Sequence, residues 1–122
     1  MDNRESAEMY LGTIYILSQK SDMVRKIDVS KYMGFAKPSV TRGISLLEND
    51  ELVTVDDGGG IVLTKKGEAQ AKRIYERHTV LTKMFVRLGV DEKIAAEDAC
   101  RIEHYISDTT FNACKKHLKE YE

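Results

Sequence analysis

The stretch KPSVTRGISLLENDELVTVDDGGGIVLT, residues 37–64, decides the fold. Pro38 is compatible with the first turn of a helix. Val40, Ile44 and Leu47 recur behind it at helical spacing, so a helix is expected over about 38–49. Two short β-prone runs follow, LVTV and IVLT, and the DDGGG between them supplies residues that tolerate positive φ at a turn. Just upstream, residues 26–33 read as a short helix ending at Gly34, with Ile27, Val29 and Met33 facing the next helix. Two helices joined by a turn at 34–37 form a helix-turn-helix. The hairpin directly after them makes it a winged helix, because a generic helix pair has no wing.

Outward from this motif, helical periodicity covers most of the chain, which contains a single proline. A first helix is expected over 5–19, with Ala7, Tyr10, Leu11, Ile14 and Leu17 as its main apolar stripe. Met9 and Ile16 fall on the opposite side, the pattern of a helix sandwiched between two layers. Gly12 costs this helix roughly 1 kcal/mol against alanine and permits close approach of another backbone. Thr64 is a suitable N-cap for a long fourth helix ending near Gly89, whose stripe is Ala71, Ile74, Tyr75, Leu81 and Phe85. A fifth helix is expected over 91–106. Ser107 caps a sixth, on which Phe111, Cys114, Leu118 and Tyr121 share one face. The expected architecture is mainly α with a small β-hairpin wing. It divides at residue 64 into a winged helix-turn-helix (1–64) and a helical domain (65–122).

Composition narrows the function. Hydrophobic content of 42% and charged content of 32% describe an ordinary globular chain. No apolar run approaches the roughly 20 residues of a bilayer span. The polar N-terminus MDNRESAEMY has no signal core. A cytoplasmic protein without membrane partners is therefore expected, with Cys100 and Cys114 as free thiols. The net charge of −1 argues weakly against nucleic acid, but the charge is polarised. Residues 37–42 carry two basic groups and no acid, residues 65–77 carry five basic groups against two acids, and DEKIAAEDACRIEH collects acids.

That acidic segment holds the chemistry. Cys100, Glu103 and His104 stand at i, i+3 and i+4, one helix face, distinct from a core stripe of Ala95, Ala99, Ile102 and Ile106. A thiolate, a carboxylate and an imidazole suit a borderline first-row divalent ion. Taken alone, the same pattern also fits a solvated polar face beside a small buried cysteine.

The order of SAEMYLGTIY, KPSVTRGISLLENDELV, the wing, LTKKGE, ERH and EDACRIEHYISD resembles the diphtheria toxin repressor and manganese transport regulator family. The resemblance runs from about residue 6 to 108 without large gaps. It implies a homodimeric, metal-activated repressor, with the helical domain serving metal binding and dimerisation. It maps a primary metal site onto Met9, Cys100, Glu103 and His104, and assigns His78 to a second site. The chain departs from the family at that second site. Thr82 stands where iron-type members have glutamate and Ala96 where they have histidine. Met9, Gly12 and Cys100 stand where manganese-type members have carboxylates. One well-formed, sulfur-containing site is therefore expected, with His78 marking at most a partial second one. His117 reads as a surface residue.

Sulfur ligands make Fe2+ the expected cofactor and Mn2+ the alternative, with other first-row divalent ions able to substitute in vitro. An imidazole must be neutral to ligate, so metal affinity should fall in mild acid. DNA contact is expected from Lys37, Pro38, Ser39, Thr41 and Arg42 at the start of the third helix. Arg42 is suited to read guanine, while Lys37, Ser39 and Thr41 are suited to hold phosphate. An acidic wing tip, Asp56 and Asp57, is a poor phosphate binder. The expected partners are double-stranded operator DNA and a second copy of the chain, with Phe111, Cys114, Leu118 and Tyr121 as the dimer surface. In the expected mechanism the ion joins the first helix, through Met9, to the fifth. Two recognition helices are then held about 34 Å apart, the spacing of successive major grooves. No substrate cleft motif is visible, so an enzyme is not expected. The alternative is a winged-helix regulator that senses an organic ligand or a protein and has no functional metal site.

Overall fold

The computed structural model describes residues 3–121. Along the chain run α1 (Asn3–Lys20), α2 (Lys26–Met33), α3 (Lys37–Asn49), β1 (Val53–Val55), β2 (Ile61–Leu63), α4 (Lys65–Arg87), α5 (Glu92–Ile102) and α6 (Asp108–Glu120). They gather into two compact units, Met1–Lys72 and Arg73–Glu122, and the unbroken α4 contributes to both. No helix among the described residues is long and apolar enough to cross a membrane.

The first unit is built on the stripes that the sequence displays. Tyr10, Leu11 and Ile14 of α1 meet Val29 of α2 and Val40, Ile44 and Leu47 of α3 in one apolar core, closed by Leu52, Val53, Ile61 and Ala71. α2 ends where Gly34 turns left-handed, at φ 73°, and donates its N–H to the Ser30 carbonyl at 2.9 Å. The Ser30 hydroxyl donates to the Phe35 carbonyl at 2.6 Å, fastening the turn that leads into α3. β1 and β2 pair antiparallel, Val53 opposite Leu63 and Val55 opposite Ile61. Val53 and Ile61 point into the core, and Thr54 and Val62 point to solvent, the period-two alternation of a half-buried hairpin. At the wing tip the Asp56 carboxylate accepts the Gly58 and Gly60 N–H groups at 3.0 and 2.8 Å. This acid therefore fastens the loop.

Thr64 caps α4 as its residue type suggests. Its hydroxyl accepts the Gly67 N–H at 3.0 Å and donates to the Glu51 carbonyl at 2.7 Å. The close approach explains Gly67, where an added Cβ would lie 1.9 Å from the Leu52 carbonyl oxygen. Backbone cannot yield as a flexible side chain does, so Gly67→Ala should destabilise the protein by about 1–3 kcal/mol in denaturant melts. Wild-type stability in that variant would contradict the packing described.

The second unit buries Ile74, Leu81, Ala95, Ala99, Phe111 and Leu118, together with the polar side chains of Arg77, Glu103 and His104. Asp91 caps α5 by accepting the Lys93 N–H at 3.1 Å, and Ser107 caps α6 by accepting the Thr110 N–H at 3.2 Å. Two expectations are corrected here. On α4, Tyr75 is 46% exposed while Arg77 is 2% exposed, so the buried stripe runs Ile74, Arg77, Leu81. And α5 stops at Ile102 rather than 106. It stops because Arg77 takes over its end. The Arg77 guanidinium donates to the Glu103 carbonyl at 3.3 Å and the Ile106 carbonyl at 2.5 Å. Carbonyls that a longer helix would satisfy internally are instead satisfied by a side chain of α4.

Candidate metal centre and DNA face

The residues after α5 carry the candidate centre. Glu103 keeps right-handed helical dihedrals and donates its N–H to the Ala99 carbonyl at 2.9 Å. The chain then tightens, with the Tyr105 and Ile106 N–H groups both reaching the Ile102 carbonyl, at 2.9 and 3.0 Å. This turn directs both the Glu103 carboxylate and the His104 imidazole inward, 7% and 3% exposed. His78, half-buried on α4, places Nδ1 2.9 Å from one Glu103 carboxylate oxygen. His104 Nε2 lies 3.5 Å from the other. One buried carboxylate thus stands between two imidazoles.

Residue 103 is held at both ends by neighbouring residues of α4. Arg77 takes its carbonyl and His78 its carboxylate. Arg77 is itself anchored by a charge-assisted hydrogen bond to Asp108 and lies over the Phe111 ring, 5.2 Å from its centroid. Arg73 reaches the same Asp108 oxygen at 3.1 Å. The hydrogen bond and charge of Arg73, with Arg77 adding to them, hold the Asp108 carboxyl below its ordinary value of 3.8.

The sequence-derived residues are not all brought together. His78 and His104 each lie beside the Glu103 carboxylate, whereas Cys100 is exposed on α5. The expected common face of Cys100, Glu103 and His104 is therefore split by burial, because the helix ends between them. Met9 is half-buried on α1, in the first unit. Among the described residues no group of three or more His, Cys, Asp or Glu side chains converges on one point. His78 and Glu103 touch directly as a hydrogen-bonded pair. In donor chemistry, two imidazoles and a carboxylate fit a borderline first-row divalent ion.

On α6, Phe111 and Leu118 are each 5% exposed, spent within the chain's own core, and Cys114 is half-buried. Of the four residues expected at a dimer surface, only Tyr121 remains broadly exposed. His117 is exposed, as expected, and its ring packs 4.6 Å from that of Tyr121. Sequence reasoning missed Arg77 and Asp108. The available signal was position 77 itself, three residues after Ile74 and four before Leu81.

On α3, Lys37, Pro38, Ser39, Thr41 and Arg42 are all exposed, while Val40, Gly43, Ile44 and Leu47 are buried. The helix thus offers a polar, basic N-terminal surface and anchors itself by the opposite side. Ala36 is the extended N-cap residue, and proline occupies the first turn of the helix.

Comparison with known proteins agrees with both halves. Residues 3–61 match the N-terminal DNA-binding domain of the iron-dependent repressors, and residues 64–122 match their metal-binding and dimerisation domain. An uncharacterised HTH-type transcriptional regulator of Methanocaldococcus jannaschii is 30% identical over 97% of this chain and 96% of its own length. The HTH-type transcriptional regulator MntR of Bacillus subtilis is 33% identical over 84% of this chain and 72% of its own. Among solved structures, the manganese regulator SloR superposes with a TM-score of 0.82 at 28% identity, over 93% of this chain. The chain spans about half of that structure, 53%. Members of this group are transcriptional regulators rather than enzymes. The winged helix, the helical domain carrying the Glu103–His104 turn, and these matches together show that the chain belongs to the iron-dependent repressor family, the metal-dependent transcriptional repressors.

Proposed function

We propose that this protein is a cytoplasmic, homodimeric repressor that binds operator DNA through the N-terminal surface of α3 when a divalent metal is bound in its second unit. The observation that carries the reading is the buried Glu103 carboxylate set between the His78 and His104 imidazoles. A buried carboxylate is costly unless paired, and this one sits beside ligand-type nitrogens. Glu103, His104, Cys100 and His78 are the ligands assigned to the second unit, and Met9 of α1 is the sulfur donor expected from the sequence. A bound ion would supply the positive charge that offsets the Glu103 carboxylate among the second-unit donors. Arg77 holds the turn that presents two of them. Fe2+ is the expected ion on the sulfur content of this set, with Mn2+ the alternative.

Lys37, Ser39 and Thr41 serve phosphates, and Arg42 reads base edges. Val86, Leu88, Ile94 and Ile102, all exposed apolar side chains of the second unit, provide area for self-association. The test is binding of duplexes from the gene's own upstream region, first with chelator and then with anaerobic Fe2+, Mn2+ or Zn2+. Metal should strengthen binding about 5- to 150-fold, the usual range of a coupling free energy. Sedimentation should show a dimer in the same samples. Metal-independent binding, or a monomer with metal present, would overturn the reading.

A further inference from the structure

Tyr10, a core residue of the first unit, adds to its apolar packing a set of specific contacts with the start of α3. Its ring is buried at 4% exposure. Its hydroxyl donates to the Ser39 carbonyl, in the first turn of α3, at 3.1 Å. One turn later its ring occupies the space beside Gly43. A Cβ added there would lie 2.3–2.8 Å from three ring carbons. The ring also meets Phe35, in the turn before α3, edge to face with centroids 6.2 Å apart. A single α1 side chain therefore grips the turn, the first turn of α3 and its second turn.

We infer that Tyr10 is a positioning residue for DNA sequence discrimination, setting the rotation and depth of α3 through the Ser39 carbonyl and the Gly43 slot. The inference rests on the reading of α3 as the recognition helix. Its physical basis is the difference in tolerance between two kinds of contact. Phosphate contacts form at many small displacements of a helix and carry no sequence information. A bidentate contact from Arg42 to a base edge requires placement to within about 0.5 Å and 10–20°. Arg42 adjoins Gly43, so a loosened grip at the slot disturbs base reading before it disturbs phosphate binding. The hydroxyl bond fixes rotation about the α3 axis, which ring packing alone leaves less determined.

The test uses the full chain with metal and two duplexes, one selected by the wild type from a randomised pool and one unrelated. Tyr10→Phe keeps the ring and removes the donor. Its affinity for the selected duplex should fall about fivefold, the equivalent of ~1 kcal/mol for one hydrogen bond. Affinity for the unrelated duplex, its salt slope and the metal affinity should stay at wild-type values. Gly43→Ala, which displaces the ring, should lower the selectivity ratio further. Equal losses on both duplexes would indicate a merely structural tyrosine and overturn the inference. Wild-type affinity of Tyr10→Phe for the selected duplex would do the same. Failure of the wild type to select any sequence would instead overturn the recognition-helix reading, and the inference with it.

Discussion

Arg77→Met should destabilise the second unit by about 3 kcal/mol, as the sum of two lost charge-assisted bonds to carbonyls and the cost of leaving a buried acceptor unsatisfied. The Glu103 and Ile106 carbonyls have this guanidinium as their donor at the end of α5. Glu103 is buried, so water cannot readily replace it. For a chain of this size the melting temperature should drop on the order of 10 °C, read by calorimetry without metal. Arg77→Lys should recover only part of the loss, because an ammonium lacks the planar fork that spans two carbonyls and Asp108. A melt unchanged in Arg77→Met would show that the turn is held by other groups. The anchor also predicts a pH dependence. Arg73 and Arg77 lower the Asp108 pKa in the folded protein. The stability this contributes is fully present above the ordinary value of 3.8 and is lost as pH falls through the lower, folded value. Asp108→Asn should flatten that part of the acid unfolding curve and leave stability near neutrality closer to wild type than Arg77→Met does.

Glu103→Gln should weaken divalent-metal binding by more than about 100-fold, since even groups that only support a metal ligand typically cost 10–100-fold when removed. Glutamine keeps the size of the side chain and can still hydrogen-bond His78. It cannot supply the negative charge that the ion neutralises. Competition against a fluorescent chelator measures the loss directly. Two further readouts should follow it, disappearance of the metal-induced rise in melting temperature and loss of metal-stimulated DNA binding. DNA binding in the presence of chelator should not change, because α3 is untouched. His104→Ala should behave alike on metal affinity. A Glu103→Gln variant that binds metal as tightly as wild type would remove Glu103 from the ligand set.

The winged helix was largely legible in the sequence. Tyr10, Leu11 and Ile14, the Val40–Ile44–Leu47 stripe, Gly34 as a helix stop and DDGGG as a turn all depend on local rules of spacing and dihedral preference. Thr64 as a cap was legible for the same reason. In the helical half, Ser107 and Ala95 followed from local pattern, but Arg77 did not. A charged residue is expected outside, and only partners distant in sequence, at residues 103, 106 and 108, make its burial tolerable. The end of α5 was illegible for the matching reason, because ACRIEHYIS continues as a good helix unless a side chain from α4 captures its carbonyls. Phe111 and Leu118 show the converse. An apolar helix face announces burial but not against what, and here it is buried in the chain's own core.

The candidate centre divides along the same line. The sequence by itself determined the donor types at Cys100, Glu103 and His104, because spacing on one helix is a local property. Only the tertiary structure decided which of them turn inward, because that depends on where the helix stops. It stops where Arg77 and His78, adjacent on a different helix, hold the two ends of Glu103. Hydrogen-bond geometry across 25 or 26 residues of chain is not written in any local period. The result is a buried carboxylate between two imidazoles, with the cysteine left at the surface.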